Sequence, residues 1–504
     1  MTYRIGADEL IIGVVGSGAM GRGIAQIAVV AGYRVKLYDA NPEAIGAAVT
    51  SIADQLGKLA RKGKMTREDA DASCARLSPV PALNGLAGCG LVVEAIVEDL
   101  AAKRRLVAEL EAVLAPNALI VSNTSSLSVT AIASGARDAR RILGWHFFNP
   151  VPLMKVVEVV DGLCSDALAG DALMDLSRRL GHTPVRAKDT PGFIVNHAGR
   201  GFGTEALRIV GEGVAEFVDV DRVMREAGGF RLGPFELMDL TALDVSHPVM
   251  ESIYHQFYEE PRFRPSVITA QRLAGGWVGR KTARGFYRYD EGAPPVTEAP
   301  PPSALPASVW ISAAGAGQRD ALLACVPPGV TLVGSAADAQ LLVVAPLGQD
   351  ATHAALAEGL DATRTVAIDT ITPLSLRRTL MGTPVTTRAT LDVAHALFAA
   401  QGQPVTVIRD SAGFIAQRIL ATIVNIACEI AQQRIATPAD IDLAVRLGLN
   451  YPNGPLALGD ALGARRILTI LQNLQEIYGD PRYRPSPWLT RRALLGVSLT
   501  HQET

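Results

Sequence analysis

LIIGVVGSGAMGRGIAQIAVVAGYRVKLYD, residues 10–39, is the stretch on which the fold turns. Residues 10–15 form an apolar run of buried-strand length, residues 16–21 read Gly-Ser-Gly-Ala-Met-Gly, and residues 22–30 change to helical character. A bare GxGxxG says little. Between a strand and a helix, the absent side chains of Gly16, Gly18 and Gly21 let the backbone turn tightly, approach a pyrophosphate and aim the helix N-terminus at its charge. Ala19 and Met20 complete that loop. Asp39 ends the next strand, 23 residues after Gly16 (39 − 16), where it can accept hydrogen bonds from ribose hydroxyls and repel an added phosphate. This favours NAD over NADP. The competing reading is a glycine turn that only lets helix and strand pack closely.

Outward from this loop, residues 10–187 alternate short apolar runs with amphipathic stretches, the pattern of βαβ units building a parallel sheet. Strands are expected at residues 10–15, 35–38, 91–93, 119–122 and 142–145. After Pro191 the spacing becomes helical, with helices expected at 195–210, 220–227 and 249–258, and this segment closes near Tyr289. Residues 291–306, EGAPPVTEAPPPSALP, read as a stiffened linker, because their prolines neither pair in a sheet nor continue a helix. A new unit begins at Ala307.

Sliding the chain on itself exposes an internal repeat. Lys188-Asp189-Thr190-Pro191-Gly192-Phe193-Ile194 returns as Arg409-Asp410-Ser411-Ala412-Gly413-Phe414-Ile415, an offset of 221 (410 − 189). Within one residue, the same register matches Gly233-Pro234 to Gly454-Pro455, Asp239 to Asp460, and residues 261–266 to 481–486. Two copies of a helical domain are therefore expected, at 188–290 and 409–504. Residues 307–408 read as a shortened copy of the first sheet domain, with strands at 308–311, 341–344 and 366–368. Its glycine region, residues 313–317, has no third glycine at the required place, and no His-Phe-Phe-Asn-Pro segment precedes Asp410. Loss of both cofactor and catalysis in the second half follows.

Bulk composition agrees with a globular enzyme. The 504 residues exceed what one core organises, apolar residues make up 48% and charged ones 19%, and a net charge of −2 gives no field to attract nucleic acid or an anionic membrane. Five scattered cysteines suit neither a disulfide frame nor a metal site, so a reducing, cytoplasmic setting is expected with no metal. The N-terminal residues carry Arg4, Asp8 and Glu9, and the following apolar run is broken by glycines, Arg22 and Gln26, which reads as neither signal peptide nor membrane span.

His146 ends the run at 142–145, within Trp145-His146-Phe147-Phe148-Asn149-Pro150-Val151-Pro152, and Glu158 sits amid Val156-Val157-Glu158-Val159-Val160. A carboxylate in so apolar a run needs a partner. Oxidation of an alcohol requires an acceptor for the hydroxyl proton, and a neutral imidazole oriented by a carboxylate fills that role near neutral pH. The two meet if the chain doubles back at Pro150 and Pro152. By themselves they read equally as a core histidine and an unrelated strand acid. Glu94, Glu98, Lys103, Asn123 and Ser125 lie at or beyond the C-terminal ends of the expected strands, where open parallel sheets bind ligands. Ser122, Thr124 and Ser126 read equally as helix caps.

GSGAMGRGIA, VVEAIVED, SNTSSL, HFFNPVPLMKVVEVV, KDTPGFIVN and GRKTARGFYRYD together resemble the 3-hydroxyacyl-CoA dehydrogenase family over residues 10–290. The tandem helical domain resembles the family's long form, including phenylacetate-pathway enzymes that oxidise 3-hydroxyadipyl-CoA. The resemblance implies an α/β Rossmann-type NAD-binding domain, residues 1–187, followed by an all-α domain, then a shortened Rossmann-like segment and a second all-α copy. It implies His146 as catalytic base with Glu158 as its partner, and Ser125 and Asn196 as donors to the substrate oxygen. NAD contacts are implied at Met20, Asp39, Glu98, Lys103 and Asn149. The expected substrate is a (3S)-3-hydroxyacyl-CoA, either the adipyl compound or a 3-hydroxybutyryl or general fatty-acyl one. The family's helical domain supplies the dimer contact and one wall of the acyl cleft, so the second copy is expected to imitate a partner subunit, giving a pseudo-dimer with one active site and, beyond it, a homo-oligomer. Arg200, Arg262 and Arg264 are candidates to receive a distal carboxylate, although solvated surface arginines are the commoner case.

Three other readings compete. A 6-phosphogluconate or 2-hydroxy-acid type dehydrogenase shares the sheet-then-helix order but not HFFNP with Glu158. A nucleotide-binding scaffold needs no proton acceptor. A lyase fusion has no room beside four such units.

Overall fold

The computed structural model describes residues 10–293, 297–314 and 316–503. The N-terminal stretch read for targeting signals, three linker residues and part of the 313–317 glycine region lie outside the described residues. The chain divides into two compact units, one of residues 10–197 with Gln433–Leu449, the other of Ala198–Gln432 with residues 450–503.

An eight-stranded sheet forms the first unit: β1 (Ile11–Val15), β2 (Arg34–Tyr38), β3 (Leu77–Pro79), β4 (Leu91–Glu94), β5 (Leu119–Ser122), β6 (Ile142–Phe147), β7 (Val156–Asp161) and β8 (Thr183–Lys188). Their order is β3-β2-β1-β4-β5-β6-β7-β8, parallel throughout except where β7 runs against β6. Strands covered on both faces become continuously apolar, which is why Leu-Val-Val and Leu-Ile-Val in β4 and β5 are fully buried. On one face Ile12, Val14 and Leu37 pack with Ile24 and Ala28 of the helix Ala19–Val30 and Leu56 of Pro42–Arg61. On the other, Val92 and Ile120 meet Leu106 and Leu110 of the helix Leu100–Val113.

The five expected strands are all present. β3, β7 and β8 were not expected as strands. β3 is three residues long and exposes two of them. β7 was read only as an apolar run around an acid, and β8 carries Pro184 and Arg186, which obscure its alternation. The expected helix at 195–210 is divided into Val195–Ala198 and Arg200–Gly211 around Gly199. The one expected at 249–258 spans Leu243–Gln256 and carries Pro248 within it; the missing N–H that ended the reading is tolerated there.

In the second unit a six-stranded sheet is ordered β10-β9-β11-β12-β13-β14, from β9 (Ser308–Ile311), β10 (Thr331–Leu332), β11 (Leu341–Val344), β12 (Thr365–Ile368), β13 (Arg378–Gly382) and β14 (Val405–Ile408). β13 runs against β12 and parallel to β14. The unit is otherwise helical, and its axis is Ala416–Gln432, buried along almost its whole length and packed on Arg200–Gly211. Gly201 makes that close approach, since a Cβ there would lie 3.1 Å from Ile426. Among the described residues no helix is long and apolar enough to cross a membrane.

Each sheet receives a backbone bond from chain far away in sequence. In the first unit Lys188 N–H at the end of β8 donates to Ile435 C=O at 2.9 Å, and the helix Pro438–Leu449 packs on β7 and β8. In the second, Arg409 N–H donates to Val214 C=O at 3.0 Å.

Candidate active site

The glycine loop joins β1 to the helix Ala19–Val30. Gly16 has φ +100°, and a Cβ on it would lie 2.4 Å from Ala95 C=O; one on Gly21 would lie 1.8 Å from Gly16 C=O. These two serve the turn and the helix–strand packing. A Cβ on Gly18 would meet nothing within 4 Å, and Gly18 caps the helix with no side chain bonded to its first N–H groups. That open, donor-lined N-terminus fits a pyrophosphate. Asp39 accepts from Ser17 N–H at 2.7 Å, Ser17 Oγ at 2.8 Å and Asn41 N–H at 2.9 Å. Burial alone would raise its pKa, but the Asn41 and Ser17 bonds outweigh it and hold the carboxylate below its ordinary range. A charged Asp39 beside the loop fits the ribose of NAD and opposes a phosphate on it.

Past the strand ends lies a connected set of charges. Lys103 is 1% exposed and donates to both oxygens of fully buried Glu94, at 2.9 and 2.8 Å, with Glu98 at 3.3 Å on its other side. Ser122 Oγ donates to Glu94 as well. Glu98 gathers the serine loop onto one oxygen, accepting from Thr124 Oγ1 at 2.7 Å, Ser125 N–H at 2.9 Å, and Ser126 N–H and Oγ at 3.1 Å. Its burial raises the pKa; Lys103 and these donors lower it further, so it stays ionised. Asn123 bridges strands, its Oδ1 accepting from Phe147 N–H at 2.9 Å. Glu94 thus lies beneath Lys103, while Glu98 and Asn123 hold loops at the sheet edge. Ser122, Thr124 and Ser126, read equally as helix caps, cap no helix among the described residues: the Ser122 hydroxyl bonds Glu94, those of Thr124 and Ser126 bond Glu98, and the helix Val129–Ala133 is capped by Ser128.

His146 and Glu158 face each other across the antiparallel β6–β7 pair. Nδ1 of His146 lies 2.6 Å from Oε2 of Glu158, and their side chains are 6% and 0% exposed. Oε1 of Glu158 accepts Ile194 and Val195 N–H, both at 2.9 Å. The carboxylate is therefore satisfied on both oxygens, as a buried charge requires. With Nδ1–H donating to it, Nε2 carries the free lone pair. Phe148 and Phe193 flank the imidazole, with ring centroids at 4.4 and 5.8 Å. Asn196 follows the anchoring pair and its Nδ2 donates to Ser125 C=O at 3.3 Å. The four residues expected to work together are thus linked, His146 to Glu158, Glu158 to residues 194–195, and Asn196 to Ser125.

Two supports were missed in the sequence. Asp189 accepts from Ser128 Oγ and from Val129 and Thr130 N–H at 2.7–3.0 Å, pinning the helix after the serine loop. Its signal was the repeated Lys/Arg-Asp motif, read only as a repeat. The N–H groups of Ile194 and Val195 are backbone and leave no residue-type signal. Of the three arginines considered for a distal carboxylate, Arg262 is buried and donates to Arg484 C=O at 2.7 Å, and Arg264 is exposed. Arg200 is half-buried, and burial pushes its pKa down to about 10, with Tyr451 opposing the shift.

Residues 11–190 match the family described as 3-hydroxyacyl-CoA dehydrogenase, NAD binding domain, and residues 192–289 and 413–499 match 3-hydroxyacyl-CoA dehydrogenase, C-terminal domain. The chain is 38% identical over 489 residues to the 3-hydroxyadipyl-CoA dehydrogenase of Escherichia coli (strain K12), covering 96% of this chain and 97% of that one. It is 38% identical over 278 residues to a probable 3-hydroxybutyryl-CoA dehydrogenase of Bacillus subtilis (strain 168), which spans 55% of this chain and 96% of the relative. A crystal structure of 3-hydroxybutyryl-CoA dehydrogenase from Escherichia coli K12 superposes with a TM-score of 0.85 at 37% identity, covering 96% of this chain and 98% of that one.

Proposed function

The chain belongs to the 3-hydroxyacyl-CoA dehydrogenase family and is an NAD-dependent oxidoreductase, and from that premise we propose that it oxidises (3S)-3-hydroxyadipyl-CoA to the 3-oxoacyl-CoA in phenylacetate catabolism. The reading rests on the 2.6 Å contact between His146 and Glu158. Bound NAD+ supplies the hydride acceptor. His146 Nε2 takes the proton of the C3 hydroxyl as the C3–H bond breaks, and Glu158 stabilises the imidazolium that results. Ser125 and Asn196 donate to the substrate oxygen as it becomes a carbonyl. Phe148 and Phe193 restrict water around the ring. The adipyl substrate is favoured by likeness to the Escherichia coli relative along both halves of the chain; its structural neighbour bears a butyryl name, so a short-chain substrate is the second reading.

Residues 188–290 and 409–504 act, in this reading, as two copies of one helical domain, with residues 291–306 as linker and 307–408 as the vestigial sheet segment. The paired bonds Lys188 to Ile435 and Arg409 to Val214 support a pseudo-dimer, because the donors and acceptors are each 221 apart (409 − 188 and 435 − 214). Asp410 caps residues 351 and 352 as Asp189 caps 128–130. Carried across this register, the place of Glu158 is taken by Thr379 (158 + 221), and the residue opposite it across the antiparallel pair, where His146 stands in the first sheet, is Asp369, whose N–H donates to Thr379 C=O at 3.0 Å. The second sheet therefore offers no proton acceptor of the required kind, and one active site per chain is expected. Five free cysteines support a reducing, cytoplasmic location.

The deciding experiment is a substrate panel of short, long and dicarboxylic 3-hydroxyacyl-CoA thioesters with NAD+, run beside an NADH titration. Preference for the dicarboxylic compound and one NADH per chain are expected. Equal kcat/KM across the panel would remove the adipyl assignment, and two NADH per chain would remove the single-site one.

A further inference from the structure

Glu158 is held by the N–H groups of Ile194 and Val195, and those two residues leave a turn that is itself costly. Gly192 has φ +76° and Phe193, which carries a side chain, has φ +49°. Backbone in the left-handed region persists only when its surroundings fix it. Part of that surround comes from the far end of the chain. The helix Pro438–Leu449, in the second sequence repeat, packs on β7 and β8 within the same compact unit as the catalytic pair.

The helix comes close to the catalytic strand at Gly448. A Cβ built there would lie 3.0 Å from both Cγ atoms of Val195 and 3.5 Å from Cγ1 of Val156. Val195 is the residue whose N–H holds Glu158, and Val156 begins the strand that carries it; they are 1% and 0% exposed. The helix is fixed to the sheet at its other end, where Ile435 C=O accepts Lys188 N–H at 2.9 Å and Asp440 takes a backbone hydrogen bond from Arg186 of β8.

We infer that Gly448 is a positioning residue for catalysis: the helix of the second repeat presses on Val195 through this glycine and so sets where Glu158 holds the imidazole of His146. The inference rests on the dehydrogenase reading above. It assigns the catalytically silent half a task in the active half's chemistry, beyond completing a pseudo-dimer. Close-packed interiors transmit added volume as displacement, and pressure on the two methyl groups of buried Val195 is passed to the backbone N–H that holds Glu158.

The test is Gly448→Val in the full chain, assayed with acetoacetyl-CoA and NADH. A fall in kcat of about ten- to a hundredfold is expected, as for a catalytic group displaced by a fraction of an ångström to an ångström, with the Kd for NADH unchanged because the glycine loop is not touched. The double variant Gly448→Val/Val195→Ala, which removes the two crowded methyl groups, is expected to recover most of the loss. Gly448→Ala carries the same comparison should the valine block folding. Full kcat in Gly448→Val, a matching loss of NADH affinity, or no recovery in the double variant would each overturn the inference. A parent enzyme inactive on acetoacetyl-CoA counts against the proposed reaction instead; the distance from Glu158 to Val195 N–H in a crystal structure of the variant then decides the inference by itself.

Discussion

Oε2 of Glu158 lies 2.6 Å from Nδ1 of His146, while its other oxygen is committed to two backbone N–H groups. The carboxylate therefore cannot rotate away, and it dictates which imidazole nitrogen carries the proton.

Glu158→Gln tests that statement. The amide oxygen would keep the Ile194 and Val195 bonds, which turns the amide NH2 toward His146 Nδ1. That nitrogen must then accept, so the proton moves to Nε2 and the base is lost while the fold stays intact. A fall in kcat of roughly 10³–10⁴ is expected. His146→Ala should lower the rate by about two to four powers of ten with NADH affinity nearly unchanged. Stopped-flow single turnovers and NADH fluorescence titration separate the two quantities, and unaltered turnover in either variant would refute the assigned roles.

Asp39→Asn removes the charge and leaves a single accepting oxygen, so it keeps the bond from Ser17 or the one from Asn41 but not both. The KM for NAD+ is expected to rise about tenfold and the discrimination against NADP+ to shrink by a similar factor, the size of one charge-assisted hydrogen bond. Parallel kcat/KM measurements with both cofactors check this; undiminished preference for NAD+ would move the selection elsewhere.

How much of this was legible in the sequence depends on whether the signal lay in side chains. Gly16, Gly21 and Asp39 announced themselves because turn, packing and charge each demand one residue type. His146 and Glu158 were readable as a pair only with the reversal at 150–152, and the β6–β7 register then placed them face to face. The N–H groups of Ile194 and Val195 could not be read, since any residue but proline has one. Gly448 was equally silent: its spacing from Val195 exists only after the chain has brought residues 433–449 back to the first sheet.

Asp369 provides a pH test in the second half. It is buried, its Oδ1 accepts from Ile371 N–H and Gln417 Nε2 at 2.9 Å, and its Oδ2 has no partner among the described residues. Burial pushes its pKa up to about 6, against the donors and Arg466. The folded chain thus keeps a proton that the unfolded chain releases nearer pH 4, so stability falls as pH rises through that window and levels off above it. Asp369→Asn mimics the protonated form. It should stabilise by about 2–3 kcal/mol at pH 8 and by little at pH 4.5, read as a pH-dependent difference in melting temperature; an equal effect at both values would contradict the buried acid.

A last prediction concerns the buried charges of the second unit. Glu205, 0% exposed, faces Arg418 Nε at 2.7 Å, Arg482 Nη1 at 3.1 Å and Tyr483 OH at 2.7 Å. Arg418, also 0% exposed, has a second carboxylate in Glu212 at 2.7 Å. The two partners are therefore not equivalent. Removing Glu205 leaves two guanidiniums without their common counter-charge, whereas removing Arg418 leaves Glu205 with Arg482 and Tyr483. Glu205→Leu should cost about 3–5 kcal/mol and Arg418→Met clearly less, while the double variant recovers part of the larger loss because only Arg482, and no longer Arg418 as well, is left without its carboxylate. Urea midpoints for the three variants provide the comparison. The pair also breaks the repeat: the positions 221 residues away are Ile426 and His197 (205 + 221 and 418 − 221), so this ion pair can form in only one of the two ways the related helices could meet. If the double variant exchanged halves between chains and ran as a dimer on sizing, that asymmetry would be what keeps the parent's helices paired within one chain; a double variant unchanged in size would leave the charges a matter of stability alone.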